Sequence, residues 1–187
     1  MLTLVSPSLT TDASLTTPAA PAFEPAQCRP ERPADDAAIE AIHDITFGPG
    51  RYARTAFRLR EGVAQDMALS LVAEREGKVV ASVRLTPIRI GETPALLLGP
   101  LAVLPHLKSQ GIGKMLMRRS MEAARLGGHR LVLLVGDLPY YWPFGFRAVP
   151  QGRLVMPGPV DPGRLLVAEL AAGAFEGVSG TVHRGAG

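Results

Sequence analysis

Apolar positions change their period several times along this chain, and each change marks an element. Leu69 to Glu74 and Val79 to Ile90 are rich in aliphatic residues and flank a turn containing Glu76 and Gly77, a pattern that predicts a two-stranded hairpin. A further turn, Gly91 to Pro94, leads into Leu96 to Leu104, an apolar run interrupted by Gly99-Pro100 and ended by Pro105. This third strand would complete an antiparallel meander, with a break in mid-course, because proline lacks a ladder donor and glycine weakens packing. A strand that parts from its neighbour frees backbone N–H and C=O groups. An extended ligand carrying amides can then add itself as a further strand, and pantetheine is such a ligand.

Period 3.6 takes over at Ile112 to Leu126, where Ile112, Met115, Leu116, Ala123 and Leu126 share a helical face and Gly127-Gly128 supplies the stop. The preceding segment, Lys108-Ser109-Gln110-Gly111-Ile112-Gly113-Lys114, places glycines where the helix begins. Glycine lets the backbone approach an anion closely, and the free N–H groups and dipole of a first turn favour phosphate. Lys108, Lys114, Arg118 and Arg119 add positive charge nearby. Leu131 to Val135 then reads as a buried strand. Upstream, Asp35 or Asp36 caps a helix carrying Ile39, Ile42, His43 and Phe47 and ended by Gly48-Pro49-Gly50, and a second helical stretch covers Tyr52 to Arg60. Towards the C-terminus, Arg153 to Met156, Leu165 to Leu170 and Thr181 to Val182 suggest short elements, with Leu165 to Leu170 open to either strand or helix.

Strand and helical segments in alternation indicate the α/β class, and 187 residues at 47% hydrophobic composition suffice for one substantial core. Residues 1–29, rich in Ser, Thr, Pro and Ala, read as a flexible extension, and residues 30–187 as the folded domain. A net charge of +3, with basic residues scattered, argues against a nucleic-acid groove. Cys28 is the single cysteine, so no intrachain disulfide forms, in keeping with a reducing compartment. The N-terminus lacks the charged start of a secretory signal, and no apolar run approaches the roughly 20 residues of a membrane span, so a cytoplasmic location is expected. His43, His106, His129 and His183 show no metal-ligand spacing with one another or with Cys28, and no triad-like context, so no metal is expected. Gly111 and Gly113 make neither a nucleotide-hydrolase phosphate loop nor a dinucleotide fingerprint.

The order of these motifs resembles the GNAT superfamily of N-acyltransferases. Its pattern is a splayed strand, an Arg/Gln-x-x-Gly-x-Gly/Ala loop, a helix, a strand, and Tyr-x-x-x-Gly-Phe, matched here from Leu96 to Phe146 with Tyr141 and Gly145-Phe146 at the end. Leu98-Gly99-Pro100-Leu101-Ala102-Val103, Gly136-Asp137 and Tyr140-Tyr141 look most like the YhbS-like branch. The resemblance implies a mixed central sheet with flanking helices and an enzyme that moves an acetyl or other short acyl group from CoA to an amine by direct attack in a ternary complex. It implies that Leu101, Ala102 and Val103 of the splayed strand hold the pantetheine arm, and that Lys108, Ser109, Gln110, Gly111, Ile112, Gly113 and Lys114 hold the pyrophosphate. Two departures stand out: Lys108 replaces the usual Arg or Gln, and Leu134 stands where many relatives have Asn.

By the same resemblance Tyr141 is the candidate proton donor to the departing CoA thiolate and the Val103 N–H the candidate holder of the carbonyl oxygen. Read without it, Tyr141 is a buried aromatic with one structural hydrogen bond. Many relatives carry a carboxylate on or beside the splayed strand, whereas this strand offers aliphatic residues only. Asp137 and Glu74 on neighbouring segments are therefore the candidate general bases, ahead of Glu92. Trp142, Phe144 and Phe146 read as packing residues. Arg51, Tyr52, Arg54 and Arg58 fall where the superfamily's first helices approach the acceptor, an expectation that points to an acidic acceptor, whether small molecule or protein amine. The resemblance also implies that two copies can pair as a homodimer, since such domains often pair through C-terminal strands, for which Arg153 to Val182 offers material. The alternatives are an acyl-CoA-binding module without catalysis and an enzyme taking its acyl group from a carrier-protein thioester.

Overall fold

The structure is a computed structural model and describes residues 24–185. Most of the expected N-terminal extension lies outside the described residues. Its last part does not: Gln27–Pro30 form strand β1, paired antiparallel with Leu71–Arg75, so the fold begins earlier than residue 30. That second strand, β2, and Lys78–Ile90 (β3) make the expected hairpin, and Thr93–Val103 (β4) completes the meander. Strand β4 starts inside the predicted turn, because Pro94 sits opposite Arg89 at its first residues.

Helix α1 spans Asp36–Phe47, with Asp35 at its N-cap and Gly48, at φ 64°, at its end. Asp35 does not cap with its side chain; the carboxylate accepts from the Arg29 guanidinium at 2.6 Å and from the Arg32 N–H at 2.8 Å instead. The helix predicted over Tyr52 to Arg60 is replaced by a 3-10 turn, Pro49–Ala53, and a short helix α2, Thr55–Arg58. Arg54 between them is extended, and the Thr55 hydroxyl donates to the carbonyl of Pro159 at 2.7 Å. Tertiary contacts thus override a continuous helical pattern.

Helix α3, Ile112–Leu126, carries the chain from β4 to a parallel strand β5, Leu131–Val135. Its buried stripe is Ile112, Leu116, Met117, Ser120, Met121 and Ala124, rotated from the predicted face, and Leu126 is exposed. A four-residue helix α4, Leu138–Tyr141, follows β5. The remaining strands are β6 (Arg147–Ala148), β7 (Leu154–Val155), β8 (Leu165–Glu169) and β9 (Gly180–Arg184). Within the sheet the order is β1-β2-β3-β4-β5-β8-β6, and β9 pairs with the far end of β3 and with β7.

Alternation along the central strands divides the core between the two faces of the sheet. Leu96, Leu98, Val132, Leu134, Leu166 and Ala168 pack with Leu116 and Met117 of α3. Leu97, Leu131, Leu133, Leu165 and Val167 face the other way, onto Leu59, Phe175 and Val182. Burial of both faces is why Leu131 to Val135 is continuously apolar. Cys28 is half-buried on β1, and burial pushes its thiol pKa up. Among the described residues no helix is long and apolar enough to cross a membrane, and no three His, Cys, Asp or Glu residues stand together as a metal site would require.

Candidate active site

Strands β4 and β5 bond at Leu96 with Val132 and at Leu97 with Leu133, and nowhere beyond. From there β5 stays with β8 through Val135, while β4 stays with β3 through Val103. The parting coincides with a bulge. Leu98 pairs with Leu85 and Leu101 with Val83, so Gly99 and Pro100 together oppose Arg84 alone. Gly99 has φ 122°, a conformation that L side chains rarely adopt. The strand predicted to break therefore does so at Gly99-Pro100, and Leu101, Ala102 and Val103 form the β4 side of the opening. Helices α3 and α4 each follow one of the diverging strands, so both begin at this end of the sheet.

Lys108, Ser109, Gln110, Gly111 and Lys114 are exposed at the start of α3, and the side chain of Ile112 is buried in the core, leaving only its backbone to a ligand. Ser109 and Gly111 have φ 65° and 81°, which turns the chain sharply into the helix. Gln110 Oε1 accepts from Arg75 Nη2 at 3.1 Å, tying the loop to the end of β2. Gly113 is half-buried: a Cβ there would stand 2.8 Å from the Tyr140 hydroxyl and 3.5 Å from Val103 Cγ2. Tyr140 thus bridges α4 to the first turn of α3 across the opening.

Tyr141 is half-buried and lies edge-on to Tyr140 and Phe146, with ring centroids at 4.9 and 5.8 Å. Burial, with Tyr140 and Asp137 nearby, pushes its pKa up to about 12. The phenol is accordingly protonated throughout the neutral range, the state a proton donor needs. Asp137 takes the N-cap position of α4 without a side-chain cap; its Oδ1 lies 3.2 Å from Arg164 Nε. Phe146 is buried, whereas Trp142 is exposed and packs less than predicted.

Glu74 stands elsewhere. It ends β2, pairs with Arg29 Nε at 2.8 Å, and does not line the cavity that Tyr141 and Asp137 share. Glu92 is a solvated turn residue paired with Arg89 at 3.2 Å. Neither glutamate lines the cavity beside Tyr141.

That cavity has a volume of about 670 Å³ and runs from the β4 bulge, Leu98 to Leu101, to the segment 51–65. Such a volume suits a small-molecule ligand. Its α1 wall carries a charged network that the sequence reading did not identify. Arg84, opposite the bulge, donates to Glu31 Oε1 at 2.7 Å, to Asp36 Oδ1 at 2.7 Å and to Glu40 Oε1 at 3.3 Å. Arg51 donates to Glu40 at 2.8 Å, and also to Asp44 and Tyr52. His43, expected to stand apart from any triad-like arrangement, lies between Glu40 and Ser82: Nδ1 is 3.4 Å from Glu40 Oε1 and Nε2 is 3.3 Å from the buried Ser82 Oγ. Burial is the largest influence on His43 and pulls its pKa down to about 4, against the nearby Glu40. The imidazole is therefore neutral and satisfies Ser82. An arginine at 84 in the middle of a largely buried strand was the available signal, since such a charge must find partners.

Comparison with known proteins agrees with this geometry. The family model for the acetyltransferase (GNAT) family matches residues 37–146, and the chain belongs to that family. It is 34% identical to the N-acetyltransferase YjhQ of Escherichia coli K12 over 116 residues, a match that spans 60% of this chain and 64% of that protein. To the E. coli N-acetyltransferase YhbS it is 29% identical, over 83% of this chain and 93% of the relative. The crystal structure of E. coli YhbS in complex with CoA superposes with a TM-score of 0.75 at 28% identity, covering 89% of this chain and 92% of that one. A GNAT family acetyltransferase from Brucella melitensis in complex with acetyl-CoA gives a TM-score of 0.56 at 33% identity, over 81% and 98% of the two chains. The mixed sheet with flanking helices is thus the fold of acetyltransferases that bind CoA.

Proposed function

We propose that the protein transfers an acetyl group from acetyl-CoA to a small amine by direct attack within a ternary complex. The observation that carries this reading is the parting of β4 from β5 at Leu97, with the α3 loop on one side of the opening and Tyr141 on the other. Leu101, Ala102 and Val103 offer an edge that no strand covers among the described residues, fit to pair with the amides of a pantetheine arm. The N–H groups of Gly111 to Gly113, with Lys108 and Lys114 beside them, suit a pyrophosphate at a helix start. Lysine supplies charge there without the fork of an arginine, so the backbone carries the directional contacts.

The amine nitrogen forms a bond to the thioester carbonyl carbon, and the carbon–sulfur bond breaks. A backbone N–H of the splayed strand, at Val103, holds the carbonyl oxygen as charge develops on it. Tyr141 gives its proton to the departing thiolate. Asp137, exposed at the mouth of the cavity beside Tyr141, takes the proton released by the amine, directly or through water. The products are an acetamide and free CoA. Orientation of the reactants supplies much of the acceleration, because a thioester is already reactive toward a neutral amine.

The test is release of free CoA thiol from acetyl-CoA across a panel of amines, with product mass determined. Turnover with at least one amine, slowed about tenfold or more in Tyr141→Phe with acetyl-CoA affinity retained, supports the reading. An unchanged rate in that variant removes Tyr141 from the mechanism.

A further inference from the structure

The cavity that Tyr141 lines also holds a cation, Arg60, that no carboxylate among the described residues neutralises. Arg60 follows helix α2, next to Leu59, whose side chain is locked in the core. Its Nε is buried without a hydrogen-bond partner, and among the described residues its guanidinium enters no ion pair. Every carboxylate of the cavity is engaged elsewhere: Glu40 by Arg51 and Arg84, Glu61 by Arg184 at 3.1 Å, Asp137 by Arg164. Asp161 accepts the Gly163 N–H at 2.9 Å. The charges that act on Arg60 are those of Arg84 and Arg54, both positive. Burial, together with these two arginines, pulls its pKa down to about 10, so it stays charged at neutral pH.

Arg60 is half-buried as a whole, with its Nε shut off from solvent, and a partly desolvated charge without a counter-ion is one that folded proteins ordinarily pair or hydrate. Arg60 differs in this respect from Arg51 and Arg58, the expected acceptor-binding residues. Arg51 is held by Glu40 and Asp44, and Arg58 points to the Pro157 carbonyl at 3.5 Å, off the cavity wall. Arg54 lines the cavity near Arg60 and lies over the Phe47 ring at 5.4 Å.

We propose that Arg60, with Arg54 beside it, binds an anionic group of the acceptor, so that the amine acetylated by this protein is a small molecule carrying a carboxylate or a phosphate. This rests on the acetyl-transfer reading above. A planar guanidinium fork accommodates either oxyanion in a bidentate contact, and an arriving anion would relieve the repulsion among the three arginines. The free amine then lies toward the β4 bulge, where Tyr141 and Asp137 face the same cavity.

The experiment compares matched acceptors: amino acids against their amides, and aminoalkyl phosphates against the corresponding amino alcohols. Each is assayed with acetyl-CoA on the wild type, Arg60→Met and Arg60→Lys. The wild type should prefer the anionic member of at least one series, and the series that responds identifies carboxylate or phosphate. Arg60→Met should raise KM for that acceptor about 10- to 100-fold, with Arg60→Lys between the two. The melting temperature of Arg60→Met should be unchanged or raised, since a half-buried, unpaired charge is removed. Acetyl-CoA binding, measured separately, should be unchanged in both variants. A preference for neutral or polycationic amines, or an anion preference that survives Arg60→Met, overturns the proposal. So does loss of acetyl-CoA binding in Arg60→Met. Where no acceptor turns over, calorimetry with the N-acetylated members on CoA-loaded protein decides: binding of an anionic member that Arg60→Met abolishes supports the site, and its absence overturns it. Failure of the wild type to bind acetyl-CoA would instead reject the acetyl-transfer reading.

Discussion

A Cβ on Gly136 would stand 2.3 Å from Cε2 of Tyr141, so the bare backbone at the end of β5 is what seats the Tyr141 ring. Gly136→Ala should therefore displace the ring, since backbone and aromatic ring cannot both yield cheaply. Expected outcomes are a stability loss of about 1–3 kcal/mol and a fall in kcat of up to about 100-fold. Steady-state kinetics beside acetyl-CoA titration checks this: binding retained with kcat lost is expected, and full activity would show that the position of Tyr141 is immaterial.

Removal of Tyr141's hydroxyl tests its protonation state. With a pKa pushed up to about 12, the phenol contributes no falling limb to activity below about pH 10. The rate profiles of wild type and Tyr141→Phe should then run parallel from pH 7 to about 9.5, offset by about tenfold. A falling limb near pH 8 present in the wild type and absent in the variant would contradict this.

His43 makes folding sensitive to acid. Its folded pKa, about 4, lies below the usual 6.5, so between these values the unfolded chain binds a proton that the native state refuses. The contribution is present above pH 6.5 and is lost as pH falls toward 4, by up to about 3 kcal/mol. Urea denaturation at intervals across that range should show the loss, and His43→Gln, which does not titrate, should flatten it.

The pair between Glu31 and Arg84 fastens the chain after β1 to the strand opposite the bulge. Glu31 has a side-chain exposure of 1% and Arg84 of 13%, and Gln65 Nε2 also donates to Glu31 at 2.9 Å. Glu31→Gln keeps the shape and removes the charge, leaving a buried guanidinium less well paired. A loss of about 3 kcal/mol is expected in denaturant unfolding. A neutral outcome would mean that Asp36 and Glu40 suffice to hold Arg84.

Local pattern carried the part of the fold around the opening between β4 and β5, the proposed donor site. The bounds of α3 and β5, the break at Gly99-Pro100 and the placing of Tyr141 follow from period, glycine and proline, all of which act over a few residues. The acceptor side was not legible in this way. Thr55 and Pro159 are 104 residues apart in sequence, and their hydrogen bond is among the contacts that close the cavity around Arg60. The place of Glu74 outside the cavity was not legible either, because its partner, Arg29, belongs to a strand whose composition reads as an unstructured extension. Pairing with β2 rather than any propensity of Gln27–Pro30 makes that strand. His43 likewise shows nothing in sequence of Ser82, which reaches it from β3.

Calorimetric titration of the wild-type protein with acetyl-CoA, beside S-acetylpantetheine, bears most directly on the opening between β4 and β5 as a donor site. Micromolar binding of acetyl-CoA, much weaker binding of S-acetylpantetheine, and a further loss of acetyl-CoA affinity in Gln110→Glu, which adds a negative charge at the α3 loop, is the expected result. Absence of acetyl-CoA binding by folded protein, or equal affinity for the two thioesters, would contradict the assignment of the α3 loop to a pyrophosphate.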